Sequence, residues 1–385
     1  MKRYLSIDAL QNALVDGAFS HAVDKKKAAG RALGTFVEII SFYLLKSWGL
    51  GRFVAIERGL QEFANPAISH NVEFSLHDAV PVAEVQLDGR PYSAKKIVKA
   101  ICGMSHDIAD AKPTGNVLLG RDGLLKNACT VAEADDYFVN AVLERHSGRR
   151  RDVIKASRLS RHPLAMFECK RVGVEAGQKK GPQTIEKAKQ GAYVARAVSA
   201  LQRVRRRDGS LAGFIEQEDG SFASGDYYKM LDEIVSGGAA RVAPDFTLTV
   251  GIVSNHGNWF TSGNRNKELE VLAQSYDWLL FLTDDGLARF INDVVFPAGL
   301  GLPNCGRAFW DSYGEARNAK GRRANRFTKS MIDISADEEL TRYFRKNAKS
   351  VAGWFNLISP AGRGMEDLKS QLADLMRNHP GKEQA

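Results

Sequence analysis

The sequence predicts an α/β (α+β) protein, a β-sheet with helices laid on it, from three observations. Runs rich in β-branched and aromatic residues alternate with helix-length stretches along most of the chain. Hydrophobic residues make up 44% and charged residues 26% of the 385, enough apolar content for a large core and unlike a disordered chain. The most apolar stretch, Phe36 to Trp48, carries Glu38 and Lys46 and falls short of the roughly 20 residues a bilayer needs, so no membrane span is expected.

From the N-terminus, MKRYLSIDALQNAL lacks the apolar core and small-residue cleavage site of a signal peptide. Lys25 to Trp48 places Ala28, Ala32, Phe36, Ile39, Ile40, Tyr43 and Leu44 at helical spacing, and Gly49 and Gly51 stop the helix. Phe53 to Leu60 and Val72 to Leu76 read as short strands on either side of the breaker Asn65-Pro66. The region from about 78 to 128 is mixed and reads as an insertion. Thr130 to Arg145 reads as a helix, with Thr130 and Glu133 forming a capping box.

Two extended runs follow, Val153 to Leu159 and Leu164 to Val172, separated by Ser160-Arg161-His162-Pro163; this pattern predicts a hairpin. Pro182 opens a helix expected to run from Gln183 to Arg206, and a polar, Gly-rich connection leads from Asp208 to Gly225. A helix near Tyr227 to Val235, a strand Phe246 to Val253, a helix Lys267 to Ser275 and a strand Trp278 to Leu282 complete a core spanning 1–295. Residues 296–385 are richer in Arg, Lys and Gly and read as an appended basic region that contacts DNA or builds a dimer. No internal repeat is present.

Chemistry concentrates in RRRDVIKASRLSRHPLAMFECKRV, Arg149 to Val172. Alternation along the second run sends Ala165, Phe167 and Cys169 to one face and Met166, Glu168 and Lys170 to the other. A hairpin would return Asp152 to the neighbourhood of Glu168. Two carboxylates about 4 Å apart repel by roughly 4 kcal/mol at an effective dielectric near 20, which a hard divalent cation cancels. A lysine beside them completes a phosphodiester-hydrolysing set, with the cation polarising phosphate and the ammonium steadying water or developing charge. Acid-x-Lys triplets also occur at Asp24-Lys26, Asp110-Lys112 and Asp367-Lys369, but only Glu168-Cys169-Lys170 lies in an alternating strand with an acid before it and a helix after it. Pro244-Asp245 begins a strand as well, with no acid-x-Lys strand following. The plainer alternative makes Glu168 and Lys170 neighbours on a solvated sheet face.

Asp152, the extended run, Glu168-Cys169-Lys170 and the helix from Gln183 together resemble the PD-(D/E)xK nuclease superfamily. The run through GPQTIEKAKQGAYVARAVSALQ looks most like its type II restriction endonucleases. Arg151 stands where that pattern often has proline. The resemblance implies a restriction-endonuclease-like core, a central mixed β-sheet flanked by helices with helical insertions and a C-terminal extension. It also implies Mg²⁺-dependent, sequence-specific hydrolysis of double-stranded DNA to 5′-phosphate and 3′-hydroxyl ends, with Mn²⁺ able to substitute. Asp152 and Glu168 would ligate the metal, the carbonyl of Cys169 would add a contact, and Lys170 would orient water. Glu38 or Glu144 would supply an additional acid.

Lys and Arg number 54 against 45 Asp and Glu, a net charge of +9 that favours a polyanionic partner. Arg149, Arg150, Arg151, Lys179 and Lys180 flank the acid-x-Lys strand and suit phosphate contacts. The loop SNHGNWFTSGNRNK offers Asn255, His256, Asn258, Asn264 and Arg265 as groups able to read base edges. His256 and Asn258 do not make an HNH nuclease, because the next histidine is His379. No phosphate-cradling GxxxxGK[ST] loop occurs, which argues against an ATP-driven nuclease or translocase. Cys102, Cys129, Cys169 and Cys305 form no CxxC pair, as expected of reduced thiols in a cytoplasm. The expected enzyme is therefore a cytoplasmic homodimer, a twofold pair suited to a palindromic site, working beside a cognate DNA methyltransferase. A repair nuclease of the same fold and a non-catalytic nucleic-acid-binding protein are the alternatives.

Overall fold

Two helices open the chain, α1 (Ile7–Asp16), capped by Ser6, and α2 (Lys25–Ser47), capped by Asp24. Strand β1 (Val54–Ile56), the hairpin of β2 (Gly59–Glu62) with β3 (Asn65–Asn71) and the long β4 (Phe74–Gln86) follow. β5 (Tyr92–Ser93), α3 (Ala94–Cys102), β6 (Lys112–Pro113), β7 (Val117–Leu119) and β8 (Leu124–Lys126) lead to β9 (Cys129–Glu133), β10 (Tyr137–Glu144) and β11 (Val153–Val172). α4 (Pro182–Ala197) precedes a three-stranded meander of β12 (Gln202–Arg205), β13 (Leu211–Glu216) and β14 (Phe222–Asp226), and then α5 (Tyr227–Val235). The last portion holds β15 (Leu248–Asn255), α6 (Lys267–Ala273), β16 (Trp278–Leu282), α7 (Asp284–Val294) and α8 (Pro303–Tyr313). β17 (Met331–Asp333), α9 (Ile334–Lys346), α10 (Ala348–Ala352), β18 (Phe355–Ser359) and α11 (Met365–Asn378) end it. These elements come from a computed structural model that describes residues 6–144, 152–172, 182–217, 219–237, 245–255, 267–296, 302–314 and 325–378.

A mixed nine-stranded sheet organises the chain, in the order β18-β16-β15-β11-β10-β9-β6, with β4 also paired to β11 and β1 to β4. β11 runs parallel to β15, and β15 parallel to β16, so the helices between them cross over the sheet. Alternation along the C-terminal half of β11 divides two apolar layers. Ala165, Phe167 and Cys169 join the core that holds Phe36, Ile39, Ile40 and Tyr43 of α2. Met166 joins the opposite layer with Ala192 and Ala195 of α4 and Leu269 and Leu272 of α6. α2 is long and apolar enough by length and composition to cross a membrane, yet 67% of that stretch is buried inside the protein.

Four expectations change. The hairpin does not form: residues 153–172 are one strand, and β4 runs beside both halves, from Val153 opposite Gln86 to Phe167 opposite Phe74. Leu159 faces Ala79 and Pro163 faces His77, so the proposed turn is a bulge inside the strand. Where a helix is expected from Thr130, the described residues form two strands, β9 and β10, since the run Tyr137 to Ala141 is buried at every position and periodicity cannot separate a buried strand from a buried helix. The helix from Pro182 ends at Ala197, and Gln202–Arg205 pairs with β13 across a turn at Asp208-Gly209, where Gly209 has φ +85°. Residues beyond Phe296 contribute β18 to the edge of the central sheet, and Phe309, Phe327, Leu340 and Phe344 to the α2 core.

Candidate active site

β1 ends, β4 begins and the β4–β11 pairing stops at one level of the sheet, while β11 runs on to Val172 against β15. Ile56 lies opposite Phe74, and Phe74 opposite Phe167, so Glu57, Glu73 and Glu168 each stand one residue beyond a paired rung. Glu57 adopts a left-handed conformation with φ +53° and donates its N–H to the Glu73 carbonyl at 3.2 Å, locking the end of β1 to β4. A non-glycine residue there carries a backbone cost of roughly 1–2 kcal/mol.

Glu168 is 5% exposed. Its Oε1 accepts from the Lys170 ammonium at 2.5 Å, and its Oε2 is buried with no hydrogen-bond partner among the described residues. Burial pushes the carboxyl above the usual carboxylate range, against the pull of Lys170. Space for this side chain comes from two glycines. Gly251 on β15 sits opposite Glu168 and receives the Tyr276 ring, while Gly191 on α4 faces Glu168 Cγ and the Tyr276 hydroxyl.

Beside this pair lies a second charged group. Lys329, 5% exposed, extends its ammonium to Glu38 Oε2 at 3.3 Å, to Glu57 Oε1 at 3.0 Å and to the Glu73 carboxylate. Burial raises the pKa of Glu38, while Lys329 and, more weakly, Lys170 lower it, so the two groups share one electrostatic neighbourhood. Glu38 lies one turn before Ser41, whose hydroxyl takes the Cys169 thiol at 3.4 Å.

Of the residues singled out by sequence, Glu168 and Lys170 are joined and Glu38 lies near them. Asp152 does not converge with them: it sits sixteen residues earlier, just before the start of β11, accepting from the Tyr92 hydroxyl at 3.0 Å with Arg90 3.7 Å away. At about 3.3 Å per residue this is the far end of the sheet, and the bulge does not fold the strand back. Glu144 is at that far end too, 2.8 Å from Lys155. The Cys169 side chain faces α2, away from Glu168, and burial pushes its thiol pKa far up. Arg149, Arg150, Arg151, Lys179, Lys180, His256, Asn258, Asn264 and Arg265 lie outside the described residues, and Asn255 is described through its backbone, which ends β15 opposite Val172. Sequence reasoning missed Glu57, Glu73 and Lys329. Glu73 was within reach, as an acid at the start of a recognised strand, but only the pairing of β4 with β11 brings it beside Glu168.

Whether these residues suit a divalent cation turns on donor type and on the orphaned Glu168 oxygen. Carboxylate oxygens are the hard donors Mg²⁺ prefers, and a buried acceptor without a partner is what an ion or its water would satisfy. Among the described residues no three acidic, imidazole or thiol side chains converge on one ligation point, and Lys329 occupies the space where Glu38, Glu57 and Glu73 meet. As arranged, these residues do not fit a divalent cation: the three clustered carboxylates are taken by an ammonium, and of the four acids Glu168 alone keeps a buried oxygen without a partner among the described residues. Comparison of the chain with family models, with curated proteins and with solved structures finds no match.

Proposed function

We propose that the chain is a Mg²⁺-dependent deoxyribonuclease of the restriction type, cutting double-stranded DNA to 5′-phosphate and 3′-hydroxyl ends. The observation that carries the reading is the Glu168–Lys170 pair, 2.5 Å apart on a central strand of a helix-flanked mixed sheet, with one buried carboxylate oxygen that no described residue partners. Asp152 lies away, beside Tyr92 and Arg90, and Glu168, whose second oxygen has no partner among the described residues, is the carboxylate an ion could reach. Bound there, Mg²⁺ would supply a Lewis acid for the phosphate and a more acidic water.

The protein's own residues do the positioning. Lys170, 32% exposed at its side chain, keeps its ammonium between Glu168 and solvent, where it can hold an attacking water by hydrogen bond and stabilise charge developing on phosphate oxygens. Tyr276 and Gly191 of α4 pack against Glu168 on the side facing α4. Val172 and Asn255 are paired at this end, and from them the chain leads into the segments holding Lys179, Lys180 and His256 to Arg265. That connectivity supports a DNA-facing edge, with phosphate contacts from the first segment and base contacts from the second. A cytoplasmic homodimer working with a cognate methyltransferase belongs to the same reading.

Incubation of the purified chain with phage DNA and Mg²⁺, followed by sequencing of the ends, tests it. Discrete fragments with fixed termini are expected; no new ends at any Mg²⁺ or Mn²⁺ concentration would overturn it. One observation favours a second reading, a non-catalytic nucleic-acid-binding protein: Lys329 already neutralises part of the acidic cluster. Retained DNA binding without cleavage would select that reading.

A further inference from the structure

α2 turns one ridge to solvent. At about 100° per residue, Lys27, Arg31 and Glu38 fall within about 40° of one another, while Ala29, Ala32, Leu33, Phe36 and Val37 are buried. Lys25 and Lys26 stand ahead of the ridge, so the start of the helix exposes four cations and has no acid in its first turn. None of the four side chains makes an ion pair with a described residue. Asp24 caps the helix by accepting the Lys27 N–H at 3.0 Å. Cations at this end work against the helix dipole, so the stability of α2 does not account for them. Gly34 lies on the flank of the same ridge, where a Cβ would meet no atom within 4 Å. Glycine is a poor residue for the middle of a helix, and packing does not require it here. The ridge ends at Glu38, which meets Lys329 at 3.3 Å one turn before Ser41, the partner of the Cys169 thiol.

We propose that this ridge of α2 seats the phosphate backbone of duplex DNA, with Lys27 and Arg31 contacting phosphates and Gly34 leaving room for the strand beside them. The inference rests on the DNA-cutting reading for its partner. Cations that find no carboxylate within the fold are complementary to a polyanion, and their contact with phosphate releases counterions, a gain the isolated helix lacks. At a rise of 1.5 Å per residue, Arg31 and Lys27 lie roughly 10.5 and 16.5 Å from Glu38 along the helix. Those lengths match about three and five base-pair steps of 3.4 Å, so a strand passing the Glu38 end of α2 can touch both. A helix face built only for solubility would carry acids in its first turn.

Fluorescence anisotropy of the full chain with a fluorescein-labelled duplex, in EDTA to prevent cutting and across a salt series, tests this. Lys27→Ala with Arg31→Ala should weaken binding about tenfold or more near 0.1 M salt and lower the log–log salt slope by about 2. Arg31→Lys should keep the slope. Lys95→Ala with Lys99→Ala removes equal charge from the exposed side of α3, next to Tyr92 at the Asp152 end, and should change neither quantity. The Lys27 and Arg31 double variant should hold or raise the thermal midpoint, because alanine suits a helix and the lost cations opposed its dipole. Gly34→Gln should raise the midpoint and yet weaken binding, an opposition of sign that a purely structural glycine does not give. Wild-type affinity in the double variant, or an equal loss in the α3 pair, overturns the inference. So does a double variant that loses midpoint together with binding, since the cations then serve the fold. Binding of the wild type to phosphatidylserine vesicles through Lys27 and Arg31, with DNA affinity unaffected by their loss, assigns the ridge to a membrane surface and overturns it too. If the wild type neither binds nor cuts duplex DNA, the nuclease reading falls as well; if it cuts and the double variant binds equally tightly, only the role of α2 falls.

Discussion

Asp152, at the start of the run into β11, and Glu168, on β11 itself, have opposite surroundings. The first answers to Tyr92 and Arg90, the second to Lys170 and to buried apolar walls. This difference makes a sharp prediction: Glu168→Gln and Lys170→Ala each lower Mg²⁺-dependent cleavage by about 10²-fold or more, whereas Asp152→Asn stays within a few-fold of wild type. Initial rates on plasmid DNA decide it. A second residue-scale prediction concerns His77, fully buried between Ser75 Oγ at 2.7 Å and the Ser160 carbonyl at 2.8 Å. Burial, and then Arg58, push its pKa from 6.5 to about 3. The unfolded chain therefore binds this proton first. His77 costs no stability above about pH 6.5 and progressively more as the pH falls towards about 3, up to about 5 kcal/mol. Urea unfolding across that range should show a flatter pH dependence for His77→Gln than for wild type.

At the scale of elements, β11 owes its position to partners on both edges and both faces. The close approach of α4 to β11 depends on Gly191. A methyl group there would lie 2.5 Å from Glu168 Cγ and collide with the Tyr276 hydroxyl. Gly191→Ala should destabilise the fold by about 1–3 kcal/mol and lower cleavage through displacement of Glu168. Thermal unfolding and cleavage rates measured together check this, and a variant normal in both would show that α4 yields without disturbing the strand.

For the whole molecule, the described residues after Phe296 are structural. β18 closes the sheet beside β16, Trp278 Nε1 donates to Gln371 at 2.5 Å, and Glu339 caps the start of α8 through the Asn304 and Cys305 N–H groups at 3.0 and 2.9 Å. A chain ending at Phe296 is expected to lose cooperative unfolding, measured by circular dichroism, because it removes part of the α2 core and leaves Glu38 and Glu73 without Lys329. DNA binding supplies the other molecular prediction. Affinity should fall with salt at a log–log slope of about −0.9 per phosphate neutralised, and replacing Lys179 and Lys180 by alanine should reduce that slope by about 2. Fluorescence anisotropy across a salt series reads it.

Local pattern alone determined α2, α5, β15 and β16, because each carries a periodicity or a β-branched run strong enough to act without its neighbours. The same alternation placed Glu168 and Lys170 together and Cys169 on the opposite face. What it could not determine was strand pairing. Ser160 to Pro163 has the composition of a turn, yet backbone partners offered by β4 along its whole length keep β11 extended and carry Asp152 away from Glu168. Tyr137 to Glu144 is apolar enough for either period, and pairing with β9 and β11 makes it a strand. Glu57, Glu73 and Lys329 become neighbours only through contacts between distant segments, since hydrogen-bonding edges and buried charge are settled by the assembled sheet rather than by any stretch of chain.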